Sequence, residues 1–137
     1  MYIFAEELIQ VDGAREKFFK LCVNGRCLID EFWKKILKDG NYGDDLDKIQ
    51  VIIEKLSKGD PIPPKVFKEL KGRKKSDTAK DYEIIVKKIR VYLFKFENVG
   101  KIIVLGALKD PKTQYKDIEK LRRIKVAYIN SKLKLVY

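Results

Sequence analysis

Arg90 stands inside the alternating run Ile89-Arg-Val-Tyr-Leu-Phe94, the first setting in the chain suited to chemistry on an anion. Upstream, Lys71-Gly-Arg73-Lys74-Lys75-Ser-Asp77 forms a cationic loop able to neutralise backbone phosphates and to bring positive charge near a scissile bond. Read blandly, the same loop is a solvated turn. The chain has no histidine and two cysteines. No Ser-His-Asp or Cys-His nucleophile can be built from it, and no metal site is expected. Carboxylates show no metal-ligand spacing, and Gly72, Gly100 and Gly106 lie in unrelated contexts, so a Gly-rich phosphate loop is absent as well. Acid–base work is left to Lys, Arg, Tyr, Asp and Glu. That set suits metal-free cleavage of RNA, in which the substrate's own 2′-hydroxyl attacks the neighbouring phosphate. A cation stabilises the developing charge, and a Lys or Tyr of lowered pKa moves protons.

The elements that must position these groups are legible from periodicity. Ile89, Val91 and Leu93 alternate with Arg90, Tyr92 and Phe94, the period of a two-faced strand. Tyr82–Val86 precedes it as a short apolar strand. Asn98-Val99-Gly100 supplies a turn, and Ile102–Leu105 reads as a central strand covered on both sides. Three adjacent antiparallel strands with one basic-aromatic face form a platform, with Arg90 in the middle strand.

Residues 1–11 read as a first strand, broken by Asp12-Gly13. Asn24-Gly25 is a strong hairpin signal between Glu16–Val23 and Arg26–Ile29. It sets Cys22 opposite Cys27, so a disulfide is geometrically possible, although a cytosolic compartment argues for two buried thiols, the expected state. Asp30 caps a helix to about Lys38, and Asp44 or Asp45 opens a second, with Leu46, Ile49, Ile52, Ile53 and Leu56 on one stripe. The Pro61, Pro63, Pro64 segment prevents its resumption. Val66–Leu70 is a short strand. The last helix runs from about Thr113 to Ser131 with an apolar stripe of Ile118, Leu121, Ile124, Tyr128 and Ile129. Its remaining face carries Lys116, Lys120, Arg122, Arg123 and Lys125. Lys132–Tyr137 is a strand-like or frayed tail.

With 137 residues, the chain is read as one domain, 1–29 an N-terminal extension and 30–132 the core. Lys and Arg outnumber Asp and Glu by 31 to 20, a formal net charge of +11, which favours polyanionic partners: nucleic acid, a ribosome, an anionic membrane or an acidic protein. The bland alternative is a Lys-rich soluble protein. No apolar run is long enough to span a bilayer, and the acidic N-terminal stretch is unlike a secretory signal, so a cytoplasmic location is expected.

The order Leu70-Lys-Gly, Tyr82-Glu-Ile, Ile89-Arg-Val-Tyr92, Lys101-Ile-Ile-Val-Leu-Gly, Leu108-Lys109 and Lys112, followed by a basic helix, resembles the RelE/ParE toxin superfamily. Within it the likeness is to the HigB-like, phage-derived Gp49-like branch, over residues 66–130. The resemblance implies an α+β toxin of a type II toxin–antitoxin pair: an antiparallel sheet of about four to six strands with a helical hairpin and a C-terminal helix packed on it, here with an N-terminal β-hairpin extension. RelE-like members cleave messenger RNA on the ribosome, and ParE-like members instead inhibit DNA gyrase. The implied catalytic residues are Arg90, which stabilises the phosphate transition state, and Lys109 and Lys112, which bind phosphate or transfer protons. Tyr115 matches a C-terminal tyrosine, although the stripe of the last helix assigns it to the core. Arg73, Lys74, Lys75, Lys88 and Tyr92 are the implied RNA contacts. The lysine pair that RelE carries around its Tyr-x-Ile strand is replaced here by Glu83 and Ile85, with Lys74, Lys75, Lys87 and Lys88 nearby, and the histidines of several HigB-like enzymes are missing. The implied partners are a cognate antitoxin, the ribosome and its messenger RNA, with no membrane and no small-molecule cofactor. A non-enzymatic inhibitor of a protein target and a nucleic-acid-binding module without catalysis are the alternatives.

Overall fold

The computed structural model describes residues 2–8 and 12–134. Its elements follow in the order β1 (Ile3–Glu7), β2 (Phe18–Val23), α1 (Leu28–Asp39), α2 (Gly43–Lys58), β3 (Phe67–Glu69), β4 (Asp81–Val86), β5 (Ile89–Phe96), β6 (Gly100–Leu108) and α3 (Gln114–Lys134). The class is α+β, as expected. The six strands form one sheet in the order β1-β2-β6-β5-β4-β3. The sheet is mixed rather than antiparallel, because β2 runs parallel to β6 with Phe18, Phe19 and Lys20 beside Lys101, Ile102 and Ile103. Two helices and then β3, β4 and β5 separate β2 from β6 in the chain, a long connection of the kind that a parallel neighbour requires.

The β4-β5-β6 meander has the expected antiparallel pairing. Alternation along β5 splits its side chains between two cores. Ile89, Val91 and Leu93 join Ile84, Val86 and Ile103 under α1 and α2, where Ile36, Leu46 and Ile49 close over them. Tyr92 and Phe94 join Ile102, Val104 and Leu105 under α3, against Leu121 and Tyr128. Each fully buried Leu or Ile contributes roughly 1.5–3 kcal/mol. Covering both faces removes the open aromatic platform that the alternation suggests: Tyr92 is 1% exposed and Phe94 fully buried. A register shift in β6 beyond Tyr92/Leu93 restores the alternation on the far side of Val104. Gly106 lets α1 lie close, since the Phe32 ring occupies the place a Cβ would take.

The N-terminal third departs most from the sequence reading. β2 pairs with β1, not with 26–29, and lies inside the sheet. Asn24 and Gly25 do make a turn, at φ +52° and +80°, with a single bridge between Val23 and Arg26. The chain then enters α1, whose N-cap is Cys27, not Asp30. Asp30 instead lies in the first turn and accepts a hydrogen bond from Lys20 Nζ at 2.7 Å. Cys22 and Cys27 form a disulfide, Cα atoms 4.1 Å apart, where two thiols were expected. The turn brings the Cα atoms within bridging reach whatever the compartment. The expected first strand is realised as Ile3–Glu7, with 9–11 outside the described residues. Of the expected tail, 132–134 continue α3 and 135–137 lie outside the described residues.

Candidate nucleic-acid interface

The tight connection between β4 and β5 is Lys87-Lys88, joining Val86 to its partner Ile89. Lys87 takes φ +51°, a conformation costly for a side chain other than glycine. Arg90, the second residue of β5, buttresses it: Nη1 donates to the carbonyls of Lys87 at 2.7 Å and Ile89 at 3.1 Å. Among the described residues, Nε and Nη2 make no hydrogen bond, and neither is a buried unsatisfied atom. Both hydrogen bonds thus come from Nη1, and Arg90 as a whole is buried, at 8% exposed.

The strand end adds further cations. The Lys109 N–H donates to the Lys88 carbonyl, extending the β5–β6 pairing past Leu108. Ala107 is opposite Arg90, so alternation sets Lys109 on the same face as Arg90. Asp110 then starts α3, accepting from the Lys112 N–H at 2.9 Å through its side chain and from Thr113 and Gln114 through its carbonyl. Lys88, Lys109 and Lys112 are exposed. Tyr115 follows on the first turn of α3, 70% exposed; it does not join the apolar core. Its hydroxyl donates to Glu119 at 2.9 Å, and that bond raises its pKa. The strand pairing thus brings Lys88, Arg90 and Lys109 to one end of the β5–β6 ladder, and the exposed Lys112 and Tyr115 follow three and six residues after Lys109 in the chain. Basic groups and exposed rings are the elements of single-stranded nucleic-acid binding.

Tyr92 cannot stack on a base while α3 is in place. Burial pushes its hydroxyl pKa well up, Glu83 and Asp117 push it further, and Arg90 opposes them. Glu83 is 1% exposed. Its Oε1 lies 3.3 Å from Lys68 Nζ, whereas Oε2 is buried without a partner among the described residues. Burial, helped by Asp110, raises the Asp117 carboxyl against the pull of Lys120.

The other cationic group lies elsewhere. The 71–80 loop enters the far end of β4, roughly 17 Å of strand away from the Lys87-Lys88 turn. It is clamped there. Lys125, fully buried, reaches Asp77 at 2.5 Å, Asp81 at 2.8 Å and the Ala79 carbonyl at 2.7 Å. Arg122 adds bonds to Asp81 at 3.0 Å and to the Lys71 carbonyl at 2.8 Å. Arg73 is engaged inside the loop, donating to the Asp77 carbonyl at 2.7 Å. Lys74 and Lys75 remain exposed. The two expected groups of site residues are therefore separate patches on one edge-to-edge span, not one constellation.

Sequence reasoning missed Lys125, Glu83 and the exposure of Tyr115. For Lys125 a signal existed: it falls between Leu121 and Tyr128 at i+4 and i+3 spacing, inside the apolar stripe. For Tyr115 the stripe misled, because α3 meets the sheet only further along. No helix among the described residues is long and apolar enough to cross a membrane. Comparisons with protein families, curated proteins and solved structures return no match to this chain.

Proposed function

We propose that this protein is a RelE/HigB-like toxin that cleaves messenger RNA on the ribosome. The observation that carries the reading is the Lys88–Lys109 backbone bond past the end of the β5–β6 ladder, which puts Lys109 on the face of Arg90, with Lys88, Lys112 and Tyr115 exposed. The 2′-hydroxyl loses its proton and its oxygen attacks the adjacent phosphorus. The 5′-oxygen leaves with a proton, giving a 2′,3′-cyclic phosphate and a 5′-hydroxyl end. Arg90 meets the charge that builds on the non-bridging oxygens. Lys109 and Lys112 hold the flanking phosphates and are the candidates for proton transfer, and Tyr115 offers a face for a splayed base. Lys74 and Lys75, at the far patch, suit a second stretch of ribosomal or messenger backbone. A cognate antitoxin would cover the same cationic surface, and the cytoplasm is the compartment where a ribosome would be met. The Cys22–Cys27 disulfide is more at home in an oxidising compartment, so location rests on this functional reading.

One observation favours a second reading. Arg90 Nη1 braces the Lys87 carbonyl at a strained turn, a structural duty that needs no substrate. A ParE-like inhibitor of a protein target would keep Arg90 for that duty and act through another surface. Induced expression in bacteria with mapping of messenger 5′ ends separates the two. Growth arrest with new, codon-spaced ends supports the ribonuclease. Arrest without new ends supports the inhibitor, and normal growth at full expression contradicts both.

A further inference from the structure

Two cysteines and no histidine make a poor metal site when counted along the chain, but the fold supplies a third donor. In the β1–β2 pair, Phe4 is opposite Cys22 and Glu6 opposite Lys20, which puts Glu6 and Cys22 on one face of the sheet, one diagonal step apart. The Asn24-Gly25 turn folds Cys27 back over that face as the N-cap of α1. A carboxylate oxygen of Glu6 and the sulfurs of Cys22 and Cys27 lie within 4.8 Å of one another, the one such group of three among the described residues. From the geometry we infer that the reduced Cys22–Cys27 pair and Glu6 bind a thiophilic divalent cation of the zinc class, and that disulfide formation expels it.

The donor set selects the ion. Two thiolates and one carboxylate disfavour calcium and magnesium, which take oxygen ligands, and suit a tetrahedral ion with water in the fourth place. Sulfurs sharing such an ion at about 2.3 Å each stand about 3.8 Å apart, a separation reached by side-chain rotation once the S–S bond is gone. Cys22 is fully buried, Cys27 half-buried and Glu6 exposed, so the ion would sit at a mouth with a dry inner ligand and an open outer side. Local charge permits it. Lys20 lies opposite Glu6 and feels its charge, but its hydrogen bond goes to Asp30 at 2.7 Å, and Arg26 is matched to Glu31 at 2.8 Å.

The exchange balances. A dithiol reductant gives two electrons and two protons to the disulfide and becomes a disulfide itself. The two thiols release those protons as the ion binds. Reoxidation re-forms the S–S bond and frees the ion. None of this depends on the RNA reading.

The test is cobalt(II) titration of the full chain, reduced with a phosphine under inert gas, beside the oxidised chain. The reduced protein should develop thiolate-to-cobalt charge-transfer absorption that saturates at one ion per chain and is displaced by zinc, while the oxidised protein stays blank. Glu6→Gln, at an exposed position that leaves the fold alone, should weaken cobalt binding at least ten-fold with the thiolate band retained. Absence of the band in the reduced protein, binding by the oxidised protein, or unchanged affinity in Glu6→Gln would each overturn the inference.

Discussion

Lys125 Nζ lies 2.8 Å from Asp81 Oδ2, and both side chains are completely buried beneath the last helix. With Asp77 and Arg122 this pair ties the 71–80 loop and the start of β4 to α3. Removing the cation leaves two carboxylates inside a low-dielectric interface, the costly way to break a buried pair. Lys125→Ala should therefore destabilise the protein by roughly 3–5 kcal/mol, read as a lowered urea midpoint at unchanged slope. A loss below about 1 kcal/mol would place the network at the surface in solution.

The same pair sets an acid limit. Burial alone pushes the Asp81 carboxyl up, but hydrogen bonds from Arg122 and Lys125, together with their charges, hold it below its ordinary value. A carboxyl lowered by folding adds stability that is complete above the unfolded value of about 3.9 and is lost as pH falls through the folded value. Wild-type stability should drop below about pH 4. Asp81→Asn should be less stable at neutral pH and show a shallower decline there. Parallel acid limbs for the two proteins would contradict this origin.

Gly106 and Phe32 form a second testable contact, since the ring stands where a Cβ would be. Gly106→Ala should cost roughly 1–3 kcal/mol through overpacking. Phe32→Ala in the same chain should recover part of that loss, and a double-mutant cycle on thermal midpoints measures the coupling.

Phosphate contact by the expected cations has a salt signature. Neutralising Lys109 and Lys112 together, as alanines, should lower the slope of log K against log salt for single-stranded RNA by about 1.4 in magnitude. An unchanged slope would remove both lysines from the interface. Lys74→Ala with Lys75→Ala tests the distant patch in the same titration.

What the sequence made legible follows from short-range periodicity. The meander from Asp81 to Leu108 and the stripe of α2 were readable because neighbours in the chain are neighbours in the structure. The parallel join of β2 to β6 was not, since Phe19 and Ile102 meet only after two helices and three strands intervene. Lys125 was hidden by its charge: a lysine on a helix reads as solvated until Asp77 and Asp81 arrive from elsewhere. Of the expected site residues, the sequence could place Arg90 in the middle strand of the meander. The separation of Arg73–Lys75 from it, and the cover that α3 lays over Tyr92, depend on where that helix docks.

The most direct measurement is the rate of messenger cleavage on programmed ribosomes by purified wild type and Arg90→Ala, with thermal midpoints of both recorded. The account predicts cleavage by wild type and a loss of about a hundred-fold or more in the variant at a midpoint shifted by only a few degrees. Equal cleavage by the two proteins, or none by wild type, would contradict it.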